Sequence, residues 1–286
     1  MDFNNPTYQR IKIFEDTIQQ CRENETLFDA VAKSIEDTKL YMPDEYPEIN
    51  KTGSDKNGKI TVTKERSFEA SKKLHDIYPE SRIGVLNFAS ATNPGGGVTM
   101  GSSAQEESIC RCSTLYPCLH TSRLFSDFYK MHRNKKDLCY TDTCIYTPDI
   151  VVMKSDTPFP ENIPQKEWFS VDILTCAAPN LRHKPYNRMN PGVAEPINIS
   201  DWELLAIHKK RGSHILNIAV ANNIDVLVLG AFGCGAFCNN PSIVARAYKE
   251  IIPEYKKYFR EIRFAVYCSQ FDSGNYDTFK KILGNL

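Results

Sequence analysis

The sequence of 286 residues predicts an α/β fold, in which a mixed, mainly parallel sheet is flanked by helices and preceded by an N-terminal helical extension. Short runs of β-branched and apolar residues recur after residue 80, and amphipathic helical patterns separate the later runs. Strands that are apolar throughout and alternate with helices are typical of a sheet covered on both faces. The apolar share of 41% is that of an ordinary globular protein.

The N-terminal part of the chain is predicted to be helical. From residue 7 to about residue 40, apolar residues recur three and four positions apart. The segment Met42–Lys59 is rich in Pro, Gly, Asp and Asn and has no period, which predicts an exposed connector. A further helix is expected over Glu65–Ile77. We therefore divide the chain into residues 1–64, a helical accessory segment with its connector, and residues 65–286, the α/β domain.

Five strands are expected in the α/β domain. They are Ile83–Phe88, Val171–Ala177, Val226–Leu229 and Ile262–Tyr267, with a weaker fifth at Ile150–Met153. The later strands are separated by helices over Asp201–Asn222, begun by Ser200 as N-cap, and over Ser242–Tyr258, which follows Pro241. Because ligands of such sheets bind beyond the carboxyl ends of the strands, the loops that follow the strands are where a site is expected.

Composition narrows the function. Lys and Arg total 35, as do Asp and Glu, so the zero net charge argues against a general nucleic-acid binder. No apolar run approaches the roughly 18 residues that a membrane helix needs, and the polar N-terminus does not resemble a signal peptide. We expect a cytoplasmic or nuclear protein without a membrane partner. Most of the ten cysteines lie in apolar runs, where reduced, buried thiols are expected.

Two glycine-rich loops follow predicted strands. The first covers Asn87–Ser108 and contains the triple glycine Gly95–Gly97, and the second covers Gly230–Ser242 and contains Gly233 and Gly235. Glycine lets a backbone adopt positive φ and bring its N–H groups close to an anion. Neither loop has the spacing of a P-loop or of the dinucleotide fingerprint. Two such loops at one edge of a sheet predict a clamp for a diphosphate.

The motifs in these loops resemble those of the poly(ADP-ribose) glycohydrolases, particularly the compact microbial type. Gly95–Gly97 is followed after seven residues by Gln105, Glu106 and Glu107, which is similar to the signature of that family. The stretch Gly233–Phe237 resembles the family's second phosphate loop. The resemblance covers residues 80 to about 275, and it implies a macrodomain-like fold with ADP-ribose as ligand.

Residue roles follow from the same resemblance. It implies Glu107 as the catalytic group, with Glu106 and Asn93 positioning the riboses and Phe237 packing against the ribose beside the scissile bond. Phe271 is a candidate for the adenine contact. The remaining ligand-binding residues expected in the two loops are Gly95, Gly96, Gly97, Val98, Gln105, Gly230, Ala231, Phe232, Gly233, Cys234, Gly235 and Ala236. No cofactor or metal is expected.

The expected reaction is hydrolysis of the O-glycosidic ribose–ribose bond of poly(ADP-ribose), which releases ADP-ribose mainly from chain ends. The transition state resembles an oxocarbenium ion, so a proton must reach the leaving oxygen and a water must then be activated. Glu106 and Glu107 point about 100° apart on a helix, which favours one catalytic and one positioning residue. ADP-ribosylated proteins are expected partners.

Alternative interpretations remain at this point. A macrodomain-like protein can be a non-catalytic ADP-ribose reader, or a hydrolase of mono-ADP-ribosylated protein or nucleic acid, and the same diphosphate clamp serves all three. The pairs Cys110-x-Cys112 and Cys118-x-His120 have the wrong spacing for a zinc site, and a Cys234 nucleophile lacks an obvious histidine. The basic cluster of Lys130, Arg133, Lys135 and Lys136 is interpreted as a solvated helix end.

Overall fold

The computed structural model describes residues 5–54, 58–185 and 195–286, and its centre is a seven-stranded mixed sheet. In chain order the strands are β1 (Lys39–Tyr41), β2 (Lys59–Thr63), β3 (Ile83–Phe88), β4 (Cys144–Val152), β5 (Phe169–Cys176), β6 (Val226–Leu229) and β7 (Glu261–Ala265). Their spatial order is β1-β4-β5-β3-β6-β7-β2. Strand β4 pairs antiparallel with β1 and β5, and the other four pairings are parallel.

Helices cover both faces of the sheet. In chain order they are α1 (Pro6–Glu23), α2 (Glu25–Asp37), α3 (Ser67–Ile77), α4 (Gln105–Cys112), α5 (Leu115–Leu119), α6 (Ser122–Leu124), α7 (Met131–Lys135), α8 (Asp201–Ala221), α9 (Pro241–Tyr255) and α10 (Gly274–Leu283). A π-helical segment, Phe125–Lys130, joins α6 to α7. Single 3-10 turns occur at Val98–Met100, Gln165–Glu167 and Lys256–Tyr258. No helix of the described residues is long and apolar enough to cross a membrane.

Alternation along the strands builds two hydrophobic cores. Val85 of β3 points into the core shared with α3, α4 and α5, whereas Leu86 belongs to the core shared with α8, α9 and α10. Successive side chains of a strand point to opposite faces, so an apolar strand supplies both cores. Helix α8 begins as expected, since Ser200 accepts a hydrogen bond from the N–H of Glu203 while Glu203 accepts one from Ser200.

The predicted fold class is confirmed, and so are all five expected strands. The bounds of β3 and β6 are those expected, and β4 is longer than its predicted segment. Two short strands were missed. Strand β1 has only three residues, and β2 begins at Lys59, where the predicted connector ends. The alternation of Ile60 and Val62 with polar residues was the signal for β2.

The expected boundary at residue 64 does not divide the structure. Strands β1 and β2 lie within residues 1–64, yet they form the two edges of the same sheet as the rest of the chain. Strand β2 pairs with β7, and β1 pairs with β4. An edge strand satisfies the exposed N–H and C=O groups of its neighbour. The N-terminal residues are therefore part of the α/β architecture, not a separate accessory unit.

The sheet order explains why the two glycine loops meet. The first loop follows β3 and the second follows β6, and these strands are parallel neighbours. Their carboxyl ends therefore lie side by side at one edge of the sheet. The ends of β5 and β7 flank them on either side.

Candidate active site

A cleft of about 840 Å³ lies at the carboxyl ends of the parallel strands. The loops that follow β3, β5, β6 and β7 all contribute residues to it. The start of α3 and the first turn of α4 contribute as well. Its charged lining residues are Glu65, Arg66, Glu106, Glu107, Asp156 and Arg182. The predicted site residues that line it are Asn93, Gly96, Gly97, Gln105, Glu106, Glu107, Ala231, Phe232, Gly233, Gly235, Ala236 and Phe237.

Glu107 presents a carboxyl group with two unlike oxygens. Oε1 accepts a hydrogen bond of 2.8 Å from the backbone N–H of Gly97. Oε2 is buried and has no hydrogen-bond partner among the described residues. A buried polar atom without a partner is costly, which makes Oε2 the atom prepared for an incoming ligand.

Glu106 is held in a different way. Its Oε2 accepts a hydrogen bond of 2.6 Å from the N–H of Ser90, and the N–H of Gly95 also donates to this carboxyl. Asn87 donates a longer one, 3.4 Å, to Oε1. Burial, reinforced by the negative charge of Glu107, raises the pKa of Glu106 well above its usual range. The two adjacent carboxyls are therefore unlike, as their divergent directions on α4 predict.

The triple glycine orients these carboxyls. Gly95 and Gly96 have φ of 65° and 57°, and a Cβ atom added at Gly96 would lie 2.5 Å from Oε1 of Glu107. The N–H of Gly96 donates to the carbonyl of Asn93, and those of Gly95 and Gly97 donate to Glu106 and Glu107. The first loop thus supplies hydrogen bonds to the glutamates, where we expected it to supply them to a diphosphate.

Gln105 joins the motif to the sheet. Its Oε1 accepts a hydrogen bond of 2.9 Å from the N–H of Phe88, and its Nε2 donates to the carbonyl of Leu86 and to Ser67. All of these partners belong to the protein, so the amide fixes the start of α4 against the end of β3. Ligand binding by Gln105 remains a prediction, while a positioning role follows from the structure.

The second loop offers free backbone donors. The N–H groups of Gly233, Gly235, Ala236 and Phe237 donate to no acceptor in the portion of the chain that the structure describes. Gly233 has φ of 78°, and no atom lies within 4 Å of a Cβ placed on Gly235. Consecutive free amides in a glycine turn form a concave anion site. This loop has the geometry that a diphosphate requires.

His208 and Asn239 support the second loop, and sequence analysis missed both. Asn239 Nδ2 donates to the carbonyls of Pro179, Gly233 and Phe237, at 2.7 to 3.1 Å. Its Oδ1 lies 2.8 Å from Nε2 of His208, which must therefore carry the proton. Burial lowers the pKa of His208 to about 4, so this neutral form persists. A separation of 31 positions leaves no pattern in the sequence that would pair the two residues.

Four of the predicted ligand-binding residues lie outside the lining of the cleft, and their contacts with a ligand remain predictions. Gly95, Val98, Gly230 and Cys234 do not line the cleft. Val98 is fully buried in the core, and a Cβ on Gly230 would collide with the carbonyl of Ala265. Cys234 packs against the core, where burial raises the pKa of its thiol, and this disfavours a nucleophile. Phe232 is 1% exposed, so it forms the floor of the cleft.

The candidate residue for the adenine contact is exposed to solvent, and the contact itself remains a prediction. Phe271 is 96% exposed and does not line the cleft. The aromatic side chain that follows β7 and does line it is Tyr267. The guanidinium of Arg66 lies 4.3 Å from the centre of the Tyr267 ring and forms an ion pair with Asp156. None of these three residues was marked by a motif.

Arg133 is more than part of a solvated helix end. Its Nε donates 2.7 Å to the carbonyl of Thr92, and its Nη2 donates to Oδ1 of Asn93. The amide nitrogen of Asn93 donates to Thr92. Asn93 therefore lines the cleft with both polar atoms already engaged, and its contact with a ribose remains a prediction. Lys130, Lys135 and Lys136 are exposed, as expected.

Helix α1 contacts the first loop from behind. Nε of Arg10 donates 2.6 Å to the carbonyl of Gly101, which has φ of 73°. The hydroxyl of Thr17 donates 2.6 Å to the carbonyl of Arg111, whose guanidinium donates to the carbonyl of Ser102. These contacts tie α1 to both ends of the segment that carries Glu106 and Glu107.

All ten cysteines have free thiols, as expected, and six of the ten are buried. Cys110, Cys112 and Cys118 pack in the core, where burial raises the pKa of each thiol. Within residues 5–54, 58–185 and 195–286, no group of three or more His, Cys, Asp or Glu side chains is arranged to hold a metal ion.

Comparisons with known proteins agree with this geometry. Residues 8–155, just over half of the chain, match the family model of the microbial-type PARG catalytic domain. No curated protein sequence matches the chain. The structure of poly(ADP-ribose) glycohydrolase (PARG) from Thermomonospora curvata has a TM-score of 0.81 at 26% identity, over 96% of this chain and 99% of that one.

Structures with bound ligands are similar as well. The Thermomonospora curvata enzyme bound to the inhibitor ADP-HPD has a TM-score of 0.79 at 26% identity, over 96% of this chain and 99% of that one. The enzyme from Deinococcus radiodurans in complex with ADP-ribose has a TM-score of 0.74 at 30% identity, over 89% of this chain and 97% of that one. The resemblance inferred from the glycine and glutamate motifs is confirmed. The chain belongs to the microbial-type poly(ADP-ribose) glycohydrolases.

Proposed function

We propose that the protein hydrolyses the O-glycosidic ribose–ribose bond of poly(ADP-ribose), mainly at chain ends, with Glu107 as general acid and then as general base. The observation that carries this assignment is the carboxyl of Glu107, which has one oxygen fixed by Gly97 and one buried oxygen without a partner at the cleft. A carboxyl held by one oxygen, with the other free of partners, supports a role in proton transfer to a bound substrate.

The two oxygens divide the work. Oε1 accepts the N–H of Gly97, so a proton on the carboxyl resides on Oε2. From Oε2 it passes to the oxygen that leaves with the neighbouring ribose, while the glycosidic bond breaks and an oxocarbenium-like ribose forms. The resulting carboxylate then takes a proton from the water that attacks the anomeric carbon. One carboxyl group thereby serves both steps.

Glu106 positions the ribose. The raised pKa of this buried carboxyl favours its neutral form, which adds no second negative charge beside Glu107. Its Oε1 has only the 3.4 Å contact with Asn87, so it is available to a ribose hydroxyl. Phe237, which lines the cleft beside the free amides, packs against the same ribose.

The diphosphate lies on the second loop in this proposal. The free N–H groups of Gly233, Gly235, Ala236 and Phe237 provide four donors without moving any side chain. Backbone donors are already ordered by the loop, so they bind the anion with little loss of entropy. The diphosphate is then close to the cationic ribose and can stabilise its positive charge, because opposite charges attract strongly in a partly buried cleft.

The assignment is tested by incubating labelled poly(ADP-ribose), and separately a mono-ADP-ribosylated protein, with the wild type and with Glu107→Gln. The expected result is release of ADP-ribose from the polymer by the wild type alone, with ADP-ribose affinity of the variant within about three-fold, since the amide keeps the contact with Gly97. Glu254→Gln, an exposed carboxylate on α9, is the matched control.

Product analysis separates the alternatives. Monomers that appear from the first turnover indicate cleavage at chain ends, whereas early oligomers indicate internal cleavage. Binding without turnover would indicate an ADP-ribose reader, and cleavage of the mono-modified protein alone would indicate the other hydrolase. Equal turnover by Glu107→Gln and wild type would contradict the role of Glu107. The proposal further includes ADP-ribosylated proteins as partners and a cytoplasmic or nuclear location, which microscopy of the tagged protein would test.

A further inference from the structure

Among the described residues that line the cleft, one cation has no compensating carboxylate. Among the described residues, Arg66 and Arg182 are the two arginines that line it. Arg66 is paired with Asp156, whose carboxylate lies 3.6 Å away. Arg182 has no carboxylate within ion-pair distance in the described part of the chain. A guanidinium left without a counterion in a cleft for a polyanion is suited to bind an anionic group of the ligand.

Arg182 is held in place by neutral acceptors. Its Nε donates 3.0 Å to Oδ1 of Asn180, and its Nη2 donates 3.1 Å to the carbonyl of Pro185. Nη1 donates to no described residue. The guanidinium carbon lies 5.4 Å from the centre of the Phe237 ring. These contacts fix the orientation of the guanidinium plane. They leave its positive charge without a counterion and Nη1 without an acceptor among the described residues.

The sheet order places Arg182 at one end of the cleft. It follows β5, whereas Tyr267 and the Arg66 that contacts its ring are beside the end of β7. Strands β3 and β6 separate β5 from β7. The free amides proposed to hold the diphosphate end at Phe237, and Arg182 lies against that ring. In the proposed binding mode, with a diphosphate on these amides and a ribose on Phe237, Arg182 lies at the end of the cleft opposite Tyr267.

The segments next to Arg182 in the fold carry further basic residues. Lys135, Lys136 and Lys184 are exposed on two segments of the chain. A hydrogen bond of 2.8 Å from the N–H of Asn180 to the carbonyl of Leu138 joins these segments. Asp137 is the single acid in the stretch from Lys135 to Leu138. The basic cluster at the end of α7 is therefore joined through the backbone to the segment that carries Arg182.

We propose that Arg182 binds the diphosphate of the ADP-ribose unit that leaves, and so forms a subsite specific for polymer. This inference rests on the proposed function. Every unit of poly(ADP-ribose) carries one diphosphate, so a chain bound through its terminal unit presents the next diphosphate beyond the scissile bond. The fork of a guanidinium matches phosphate oxygens, and Nη1 is available for that contact.

Kinetics on the polymer and affinity for the monomer separate this subsite from the rest of the cleft. For Arg182→Ala, kcat/KM on poly(ADP-ribose) is expected to fall about ten-fold through KM, because the contact is made before the chemical step. The Kd of free ADP-ribose, which lacks the second diphosphate, is expected to stay within about two-fold. The salt dependence of KM should become less steep, since one phosphate contact is lost.

Two further variants complete the experiment. Arg182→Lys keeps the charge but not the fork, so it is expected to recover part of the KM. Arg246→Ala removes an exposed arginine that pairs with Glu250 on α9, and it should change neither quantity. Equal losses in polymer turnover and ADP-ribose affinity would overturn the proposal, because Arg182 would then act on the bound unit or on Phe237. An unchanged KM on the polymer would also overturn it. Absence of polymer turnover by the wild type would instead contradict the proposed function.

Discussion

The backbone N–H of Gly97 donates a hydrogen bond of 2.8 Å to Oε1 of Glu107, ten positions along the chain. The preceding glycine is as close, since a Cβ atom on Gly96 would lie 2.5 Å from the same oxygen. The triple glycine is therefore a template for the carboxyl group. Its value is that the glutamate needs no reorganisation when substrate arrives.

Gly96→Ala should separate this positioning from folding. The added methyl group meets Oε1 of Glu107, and φ of 57° is unfavourable for alanine. We expect kcat on poly(ADP-ribose) to fall about a hundred-fold, because a displacement of about 1 Å misaligns the proton donor. Gly274→Ala is the control, since its Cβ would meet only a side-chain oxygen of Asp272 at 3.4 Å. A kcat within two-fold of wild type would show that Glu107 does not depend on this loop.

Glu106→Gln is expected to change the pH dependence of stability. The pKa of Glu106 in the folded protein is raised above the usual 4.5, so the folded state holds the proton more tightly than the unfolded state. The stabilisation is fully present below the ordinary pKa and is lost as pH rises toward the raised pKa. Glutamine does not titrate and lacks this loss.

Urea unfolding from about pH 5 to about pH 8 measures the effect. The free energy of unfolding of wild type relative to Glu106→Gln should decrease as pH rises. Glu36→Gln, which replaces an exposed carboxylate on α2, serves as the comparison. Parallel curves for wild type and Glu106→Gln would show that Glu106 is ionised in the folded protein.

His208 is expected to make the fold sensitive to acid. Its pKa is about 4 in the folded protein against 6.5 for an ordinary histidine, so the unfolded state binds more protons between these values. The corresponding stability is present above the ordinary pKa and is lost as pH falls, by about 3 kcal/mol in all. Thermal unfolding of His208→Gln should show a flatter acid limb, and His120→Gln, at an exposed position, should not. Identical acid limbs would rule out a neutral His208.

Arg10 tests the contact between α1 and the first loop. Arg10→Ala removes the 2.6 Å hydrogen bond to the carbonyl of Gly101, which leads into α4. We expect kcat to fall about five-fold with little change in ADP-ribose affinity, because the loop carries the glutamates and the diphosphate lies elsewhere. Lys12→Ala on the same helix removes an exposed pair with Glu15 and a contact with the ring of Tyr8, neither of which involves the loop, and it should have no effect. Equal kcat values for both variants would limit α1 to a structural role.

Features that depend on a local pattern of residues could be predicted from the sequence. Apolar runs located β3 and β6 to the residue, and the glycine spacing located both loops and Glu107. Partners far apart in the chain left no pattern. Arg182 illustrates the difference, because the rule applied to the loops after β3 and β6 also applies to the loop after β5, yet no glycine marks it. The supporting pair of His208 and Asn239 is visible only once helix α8 is packed against the second loop.

The hydrogen-bond partner of each glycine could not be predicted from the sequence either. The triple glycine was expected to bind an anion. Instead, the N–H groups of Gly95, Gly96 and Gly97 donate to Glu106, Asn93 and Glu107, respectively. A glycine motif shows that a backbone comes close to something. It does not show whether that partner is a ligand or a side chain of the same protein.

The position of β2 has a consequence for how the protein is made. Residues 59–63 pair with residues 261–265, so β2 cannot find its neighbour until the ribosome has added some two hundred further residues. Strand β1 likewise cannot pair until β4, about one hundred residues later, has been synthesised. Closing so long a loop is slow, and an unpaired strand is exposed to aggregation meanwhile. The final sheet is thus completed by the part of the chain that is translated first, and its assembly is a late event in biosynthesis.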